Sequence, residues 1–236
     1  MAPVKLYGMT MSWNVTRCVA ALEEAGVEYD VVPIDFGAGE HKTPDHLARN
    51  RCDIRLTKTS LSSYGPLQPF GQMPVLQDGD FYVWESRAIC KYTCRKNNPE
   101  LLKEGNLKES AMVDVWLEVE AHRYTAAMEP IILECLIRPM FGRATDQKIV
   151  EDNLVKLKKV LEVYEARLSK CKYLAGDFLS LADLNHVSAT ACLATTPYAS
   201  LFDAYPHVKA WWSGLMARPS VQKITALKKP YFQNSV

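Results

Sequence analysis

The 236 residues suffice for one large domain or two modest ones, and 48% hydrophobic with 23% charged residues is ordinary globular usage. Lys and Arg number 28 against 27 acidic residues, a formal charge of +1, which excludes long-range steering toward nucleic acid or an anionic membrane. Any anion must then be held by a local constellation. No stretch approaches roughly 18 uninterrupted apolar residues, and the opening Met-Ala-Pro-Val-Lys lacks the apolar core of a signal peptide. The seven cysteines are scattered without CxxC spacing, which predicts reduced thiols, no zinc site and a cytoplasmic location.

Val4 to Tyr7 reads as a short buried strand and Gly8 to Met11 as a loop. Val15, Cys18, Val19 and Leu22 recur at helical spacing, with Gly26 as the stop, and Tyr29 to Pro33 forms a second strand. The chain therefore opens with a βαβ unit. Thr43 as N-cap with Pro44 in the first turn predicts a short helix over Pro44 to Arg49. Residues 51 to 68 hold Ile54, Leu56, Leu61, Tyr64 and Leu67 as their large apolar side chains, sustain no period, and read as a surface loop. Met73 to Leu76 and Phe81 to Trp84 flank an Asp-Gly, a hairpin signal, and Ser86 to Arg95 reads as a helix.

Past Pro99 the signals are helical. Val150, Leu154, Leu157, Leu161, Tyr164 and Leu168 keep one apolar face. Ser180-Leu-Ala-Asp183 is a capping box, with Asp in place of Glu, opening a buried helix through Val187, Thr190 and Ala194. Pro206 to Met216 and Pro219 to Leu227 are two more helices, each started by proline. The expected organisation is an α/β domain over residues 1–97 with 51–68 inserted, a linker at 98–106, an all-α domain over 107–228 and a tail at 229–236.

Four places carry polar chemistry. Ser12 precedes the first helix: its ordinary reading is an N-cap, its functional one a hydroxyl that donates to an anion at a helix start. In Gln72-Met73-Pro74-Val75 the proline is either an ordinary strand-start residue or part of a cis Met73–Pro74 peptide that offers the Met73 N–H and C=O to a ligand backbone. Ser86 is a natural N-cap, yet Glu85 and Ser86 at a helix start also suit an amino-acid head group, the acid meeting its ammonium and the helix start its carboxylate. His41-Lys42 is most simply a solvated basic pair.

Together, the motifs Lys5-Leu-Tyr-Gly8, Met11-Ser-Trp-Asn14, Glu40-His-Lys42, Pro69-Phe-Gly-Gln72, Glu85-Ser-Arg-Ala-Ile-Cys90, Tyr173-Leu-Ala-Gly-Asp177 and His207-Val-Lys-Ala-Trp-Trp212 resemble the plant phi-class glutathione transferases, above all the cereal members, over nearly the whole chain. The resemblance implies the glutathione transferase fold: a thioredoxin-like α/β N-terminal domain plus an all-α C-terminal domain, assembled as a homodimer. It implies glutathione as co-substrate, no other cofactor, no metal, and neither a nucleic-acid nor a membrane partner. Ser12 would stabilise the thiolate, His41 and Lys42 would meet the glycine carboxylate, Gln72 and Met73 the peptide backbone, and Glu85 with Ser86 the γ-glutamyl head. Met11, Trp13, Phe36, Leu133 and Ile137 would line the apolar electrophile pocket. The implied activity is conjugation to small apolar electrophiles, as in xenobiotic and herbicide detoxification, with peroxide reduction as a side activity.

The magnitudes agree with that role for Ser12. Bringing a thiol of pKa about 8.5 below 7 requires roughly 2 kcal/mol, and one hydrogen bond to a charged sulfur contributes about 1.5–3. A cysteine-based oxidoreductase is disfavoured, because the loop carries Ser12 in place of a thiol. The family pattern runs from Ala48-Arg-Asn50 straight into Pro69; here 51–68 intervene, as either a genuine insertion or retained intron sequence. Should the segment disturb the glutathione site, the alternative is a weakly active or non-catalytic carrier of apolar metabolites.

Overall fold

The computed structural model describes residues 3–35, 38–40, 43 and 72–232, so the expected helix at 44–49 and the inserted segment 51–68 lie outside the described residues. The N-terminal part is a four-stranded sheet of order β2-β1-β3-β4. β1 (Val4–Tyr7) runs parallel to β2 (Tyr29–Val32) and antiparallel to β3 (Val75–Asp78), which pairs antiparallel with β4 (Phe81–Trp84). Two parallel strands need a crossover, here α1 (Trp13–Glu24), and α2 (Ser86–Asn97) follows β4 to pack beside it. α1 ends where expected: Gly26 takes φ +65°, a left-handed position that a side chain would strain. Proline sets two strand limits. β2 stops at Val32 instead of Pro33, and β3 starts at Val75 instead of Met73, because Pro33 and Pro74 have no N–H for the ladder.

In the helical part, α3 (Leu107–Val119) passes into a π-helical stretch, Glu120–Thr125, and on into α4 (Ala126–Ile132). A second π stretch, Leu133–Ile137, leads to α5 (Arg138–Met140). Pro130 stands inside α4 and removes a donor from the ladder, and the chain widens its turns on either side. Then come α6 (Gln147–Leu168), α7 (Leu181–Leu193), α8 (Pro206–Met216) and α9 (Pro219–Phe232). α6 buries Val150, Leu157, Leu161, Tyr164 and Leu168 on the expected face. The capping box forms at the start of α7, which ends at Leu193, so Ala194 is its exposed cap and not part of the buried helix. α2 and α9 both outrun expectation, and α9 takes in residues 229–232 of the expected tail.

The two parts share one core. α1 lies between α2 and α7, and every residue from Val15 to Leu22 is buried. One apolar cluster runs from Leu6 and Leu76 in the sheet, through Val15 and Leu22, to Leu157, Val187 and Ile224. The linker belongs to it as well, because Leu101 and Leu102 are buried around a short 3₁₀ turn, Pro99–Leu101. Near the end of α1, Arg218 grips the Glu24 carboxylate through two bonds of 2.6 and 2.7 Å, which ties α9 to the sheet domain.

Candidate active site

Ser12 occupies the N-cap of α1 with extended backbone, φ −69° and ψ 124°. Its carbonyl accepts from the Thr16 N–H at 3.1 Å and from the Thr16 hydroxyl at 3.2 Å. Its hydroxyl makes no capping hydrogen bond, and no acid stands in the first turn to compete with an anion. An N-cap serine ordinarily spends its oxygen on the second or third N–H of the helix. Here the hydroxyl stays available at the positive end of the helix dipole. The preceding loop is pinned close by. A Cβ on Gly8 would lie 2.5 Å from Val15 Cγ2, so glycine alone lets the loop press on α1. The Met9 N–H reaches Met73 Sδ at 3.4 Å, which ties this loop to the one entering β3, and the Met73–Pro74 peptide is cis, as expected.

At the start of α1, a polar cavity of about 110 Å³ is lined by Trp13 and Asn14, by Gln72, Met73 and Pro74 from the β3 loop, and by Glu85, Ser86 and Arg87 from the start of α2; Ser12, the residue before Trp13, is not among its lining residues. The helical part adds Thr125 and Glu129. The N-cap of α2 is Glu85 and not Ser86, a shift of one residue from the sequence reading, and Glu85 holds φ +65° and ψ 113°. That conformation is costly for a residue with a side chain and persists where the surroundings enforce it, most often at functional sites. Ser86 is therefore the first helical residue, and its oxygen accepts from Arg17 Nη1 at 2.9 Å. The first N–H groups of any helix lack intrahelical partners, so this helix start suits a carboxylate.

An ion cluster adjoins the cavity, and two of its members, Arg87 and Thr125, line it. Arg17 and Glu120 are both 0% exposed, with Arg17 Nη2 3.5 Å from Glu120 Oε1. Arg87 donates to both oxygens of Glu120, at 2.8 and 3.0 Å, and the Thr125 hydroxyl adds a bond of 2.5 Å. Burial pushes the Glu120 carboxyl up, but Arg17 and Arg87 outweigh it and hold the group below the usual carboxylate range. The cluster fastens α1, α2 and the first π stretch to one another beside the cavity.

Comparison with known proteins names this arrangement. A model described as the glutathione S-transferase N-terminal domain matches residues 2–95, and one described as the C-terminal domain matches 124–219. A probable glutathione S-transferase of Oryza sativa subsp. japonica, GSTF2, is 68% identical over 231 residues, 98% of this chain and 99% of its own. Glutathione S-transferase 1 of Zea mays is also 68% identical, over 98% and 99%. The chain belongs to the plant phi-class glutathione S-transferases. Among solved structures, maize glutathione S-transferase I in complex with an atrazine glutathione conjugate matches with a TM-score of 0.87 at 67% identity, over 97% of this chain and 99% of that one. A transferase-I structure bound with lactoylglutathione matches with a TM-score of 0.86.

Within this transferase, Gln72, Met73, Glu85 and Ser86 line one polar cavity together with Trp13, which the sequence reading places in the apolar electrophile pocket. Phe36, His41 and Lys42 lie outside the described residues. Leu133 and Ile137 are not among the cavity's lining residues; they follow Thr125 and Glu129 at intervals of four along the same helical path, with Leu133 exposed. Met11 is half-buried beside Ser12. Sequence reasoning missed Asn14, Arg17, Thr125, Glu120 and Glu129. One signal was present: a lone arginine amid the buried residues of α1 demands a buried partner.

Proposed function

We propose that this transferase joins the thiolate of glutathione to small apolar electrophiles, with Ser12 as the group that holds the thiolate. The observation that carries the reading is the Ser12 hydroxyl, uncommitted to the cap at the start of the helix whose first residues, Trp13 and Asn14, line the polar cavity. In this reading Glu85 and Ser86 bind the γ-glutamyl head, Gln72 and Met73 the peptide backbone, and His41 with Lys42 the glycine carboxylate. Met11, Trp13, Phe36, Leu133 and Ile137 face the electrophile, of the aromatic class to which atrazine belongs. The thiol loses its proton to solvent, the thiolate forms a carbon–sulfur bond, and the carbon–halogen bond breaks to release halide. One donated hydrogen bond and a helix start suffice for the roughly 2 kcal/mol this ionisation requires. A cytoplasmic homodimer acting in detoxification completes the reading; exposed Phe81, Met112 and Val115 on β4 and α3 support a second copy.

The test is turnover of an aromatic chloride by the purified protein with glutathione, following chloride release and thiol loss together. Equal rates of both are expected. Binding of apolar dyes without turnover would leave the carrier reading in its place, although relatives named as transferases at 68% identity favour transfer.

A further inference from the structure

Asn14 and Ser86 share one donor. Arg17 Nη1 lies 2.5 Å from Asn14 Oδ1 and 2.9 Å from Ser86 Oγ. A guanidinium carries N–H donors only, so both partners must accept from it. This fixes the Asn14 amide with Oδ1 toward Arg17 and the two Nδ2 hydrogens pointing elsewhere. It also engages a lone pair of Ser86 and leaves the hydroxyl proton to be placed. That proton reaches Asn14 Oδ1 only at 3.5 Å, well beyond the about 2.5–3.0 Å of a good O–H···O bond, so a stronger acceptor will capture it. Asn14 and Ser86 both line the cavity, whereas Arg17 lies wholly buried behind them.

The site carries both signs of charge, with Glu85 and Glu129 in the cavity lining beside Arg87. Two guanidinium groups, Arg17 and Arg87, face the single Glu120 carboxylate, and Arg17 Nη2 has no hydrogen-bond partner. Arg87 also lines the cavity, and it spends its Nε and Nη2 on Glu120.

We infer that Asn14 is a binding residue for the α-carboxylate of the γ-glutamyl group, acting with Ser86, and that Arg17 is the positioning residue that turns both into donors. The inference rests on the proposed γ-glutamyl site at Glu85 and Ser86. A carboxylate accepts at both oxygens, so Nδ2–H and Oγ–H form a matching pair, while Glu85 and Glu129 on the cavity wall remain for the ammonium. Without Arg17 the Asn14 amide could flip, and the pair would offer an acceptor where the ligand needs a donor.

The experiment is calorimetric binding of glutathione and of 4-aminobutanoyl-cysteinyl-glycine, the same tripeptide without that carboxylate. The wild type should prefer glutathione by on the order of tenfold or more. Asn14→Ala should cut the preference several-fold. Asn14→Asp keeps an acceptor for Arg17 but presents an anionic oxygen, and should bring the preference near unity. Arg17→Lys should lower it too, with affinity for the analogue within about twofold of wild type. A merely structural role would weaken both ligands alike and leave the ratio unchanged. An unchanged ratio in both Asn14 variants, at unaltered Tm, overturns the inference. A wild type that bound neither tripeptide would instead remove the γ-glutamyl reading, and the inference with it.

Discussion

Ser12→Ala removes one hydroxyl and leaves the backbone acceptor that Thr16 uses, so the expected loss is chemical and not structural. At pH 6.5 kcat for conjugation should fall at least roughly tenfold, while KM for glutathione changes little, because the lost bond is made chiefly to the ionised sulfur. Steady-state rates with glutathione varied at fixed electrophile decide this, and a variant with full kcat would end the assignment. At this scale the sequence was informative wherever a polar residue sits at an element start, as with Ser12, Glu85 and Ser86. It was silent on Asn14, Glu120 and Glu129, because what they face is chosen by how α1, α2 and the helical part meet. Ser86 was read as a cap, whereas Arg17 draws its oxygen inward, a partner 69 positions distant in sequence.

α7 depends on its first turn. The Asp183 carboxylate accepts from the Ser180 and Leu174 N–H groups and from Trp211 Nε1, each at 3.0 Å. Asp183→Ala leaves those buried donors unsatisfied and should destabilise the protein by about 2–4 kcal/mol, read as a fall in the urea midpoint. Ser180→Ala, which removes the hydroxyl's bond to the Asp183 carboxylate and its share of the capping box, should cost about 1 kcal/mol. An Asp183→Ala loss under 1 kcal/mol would show the capping box to be incidental. This element was legible in sequence because its signal is local. The π stretches flanking Pro130 were not. A proline inside a helix predicts a broken ladder, but whether the chain kinks, stops or widens depends on packing, and α4 is held against α6 and α7.

For the whole molecule, the α/β N-terminal domain and the helical C-terminal domain meet in one continuous core organised around α1 and α7, and His186 is fully buried within the structure. Its Nδ1 is 2.7 Å from the Ala182 carbonyl and must carry the proton, so Nε2, 2.8 Å away, accepts from the Tyr164 hydroxyl. Burial pushes this imidazole down to about 4 from 6.5, against the pull of Glu120. Between those values the unfolded chain takes up a proton that the folded protein refuses, so stability must fall as pH drops. At about 1.4 kcal/mol per unit, the loss from pH 6.5 to 5.0 should be about 2 kcal/mol. Glu24 and Glu120, both held low in the folded state, add their own losses only below about 4.5. Urea denaturation at pH 7, 6 and 5 measures the slope, and His186→Gln should flatten it. A flat wild-type profile would contradict the neutral buried imidazole.

The central claim concerns the sulfur of glutathione on Ser12, and it is reached most directly by titrating the ultraviolet thiolate absorbance of glutathione bound to the wild type and to Ser12→Ala. The wild-type complex should ionise below pH 7, and the variant should return toward the free thiol value of about 8.5. Coincident titrations, or a wild-type complex that ionises at the free value, would contradict the account.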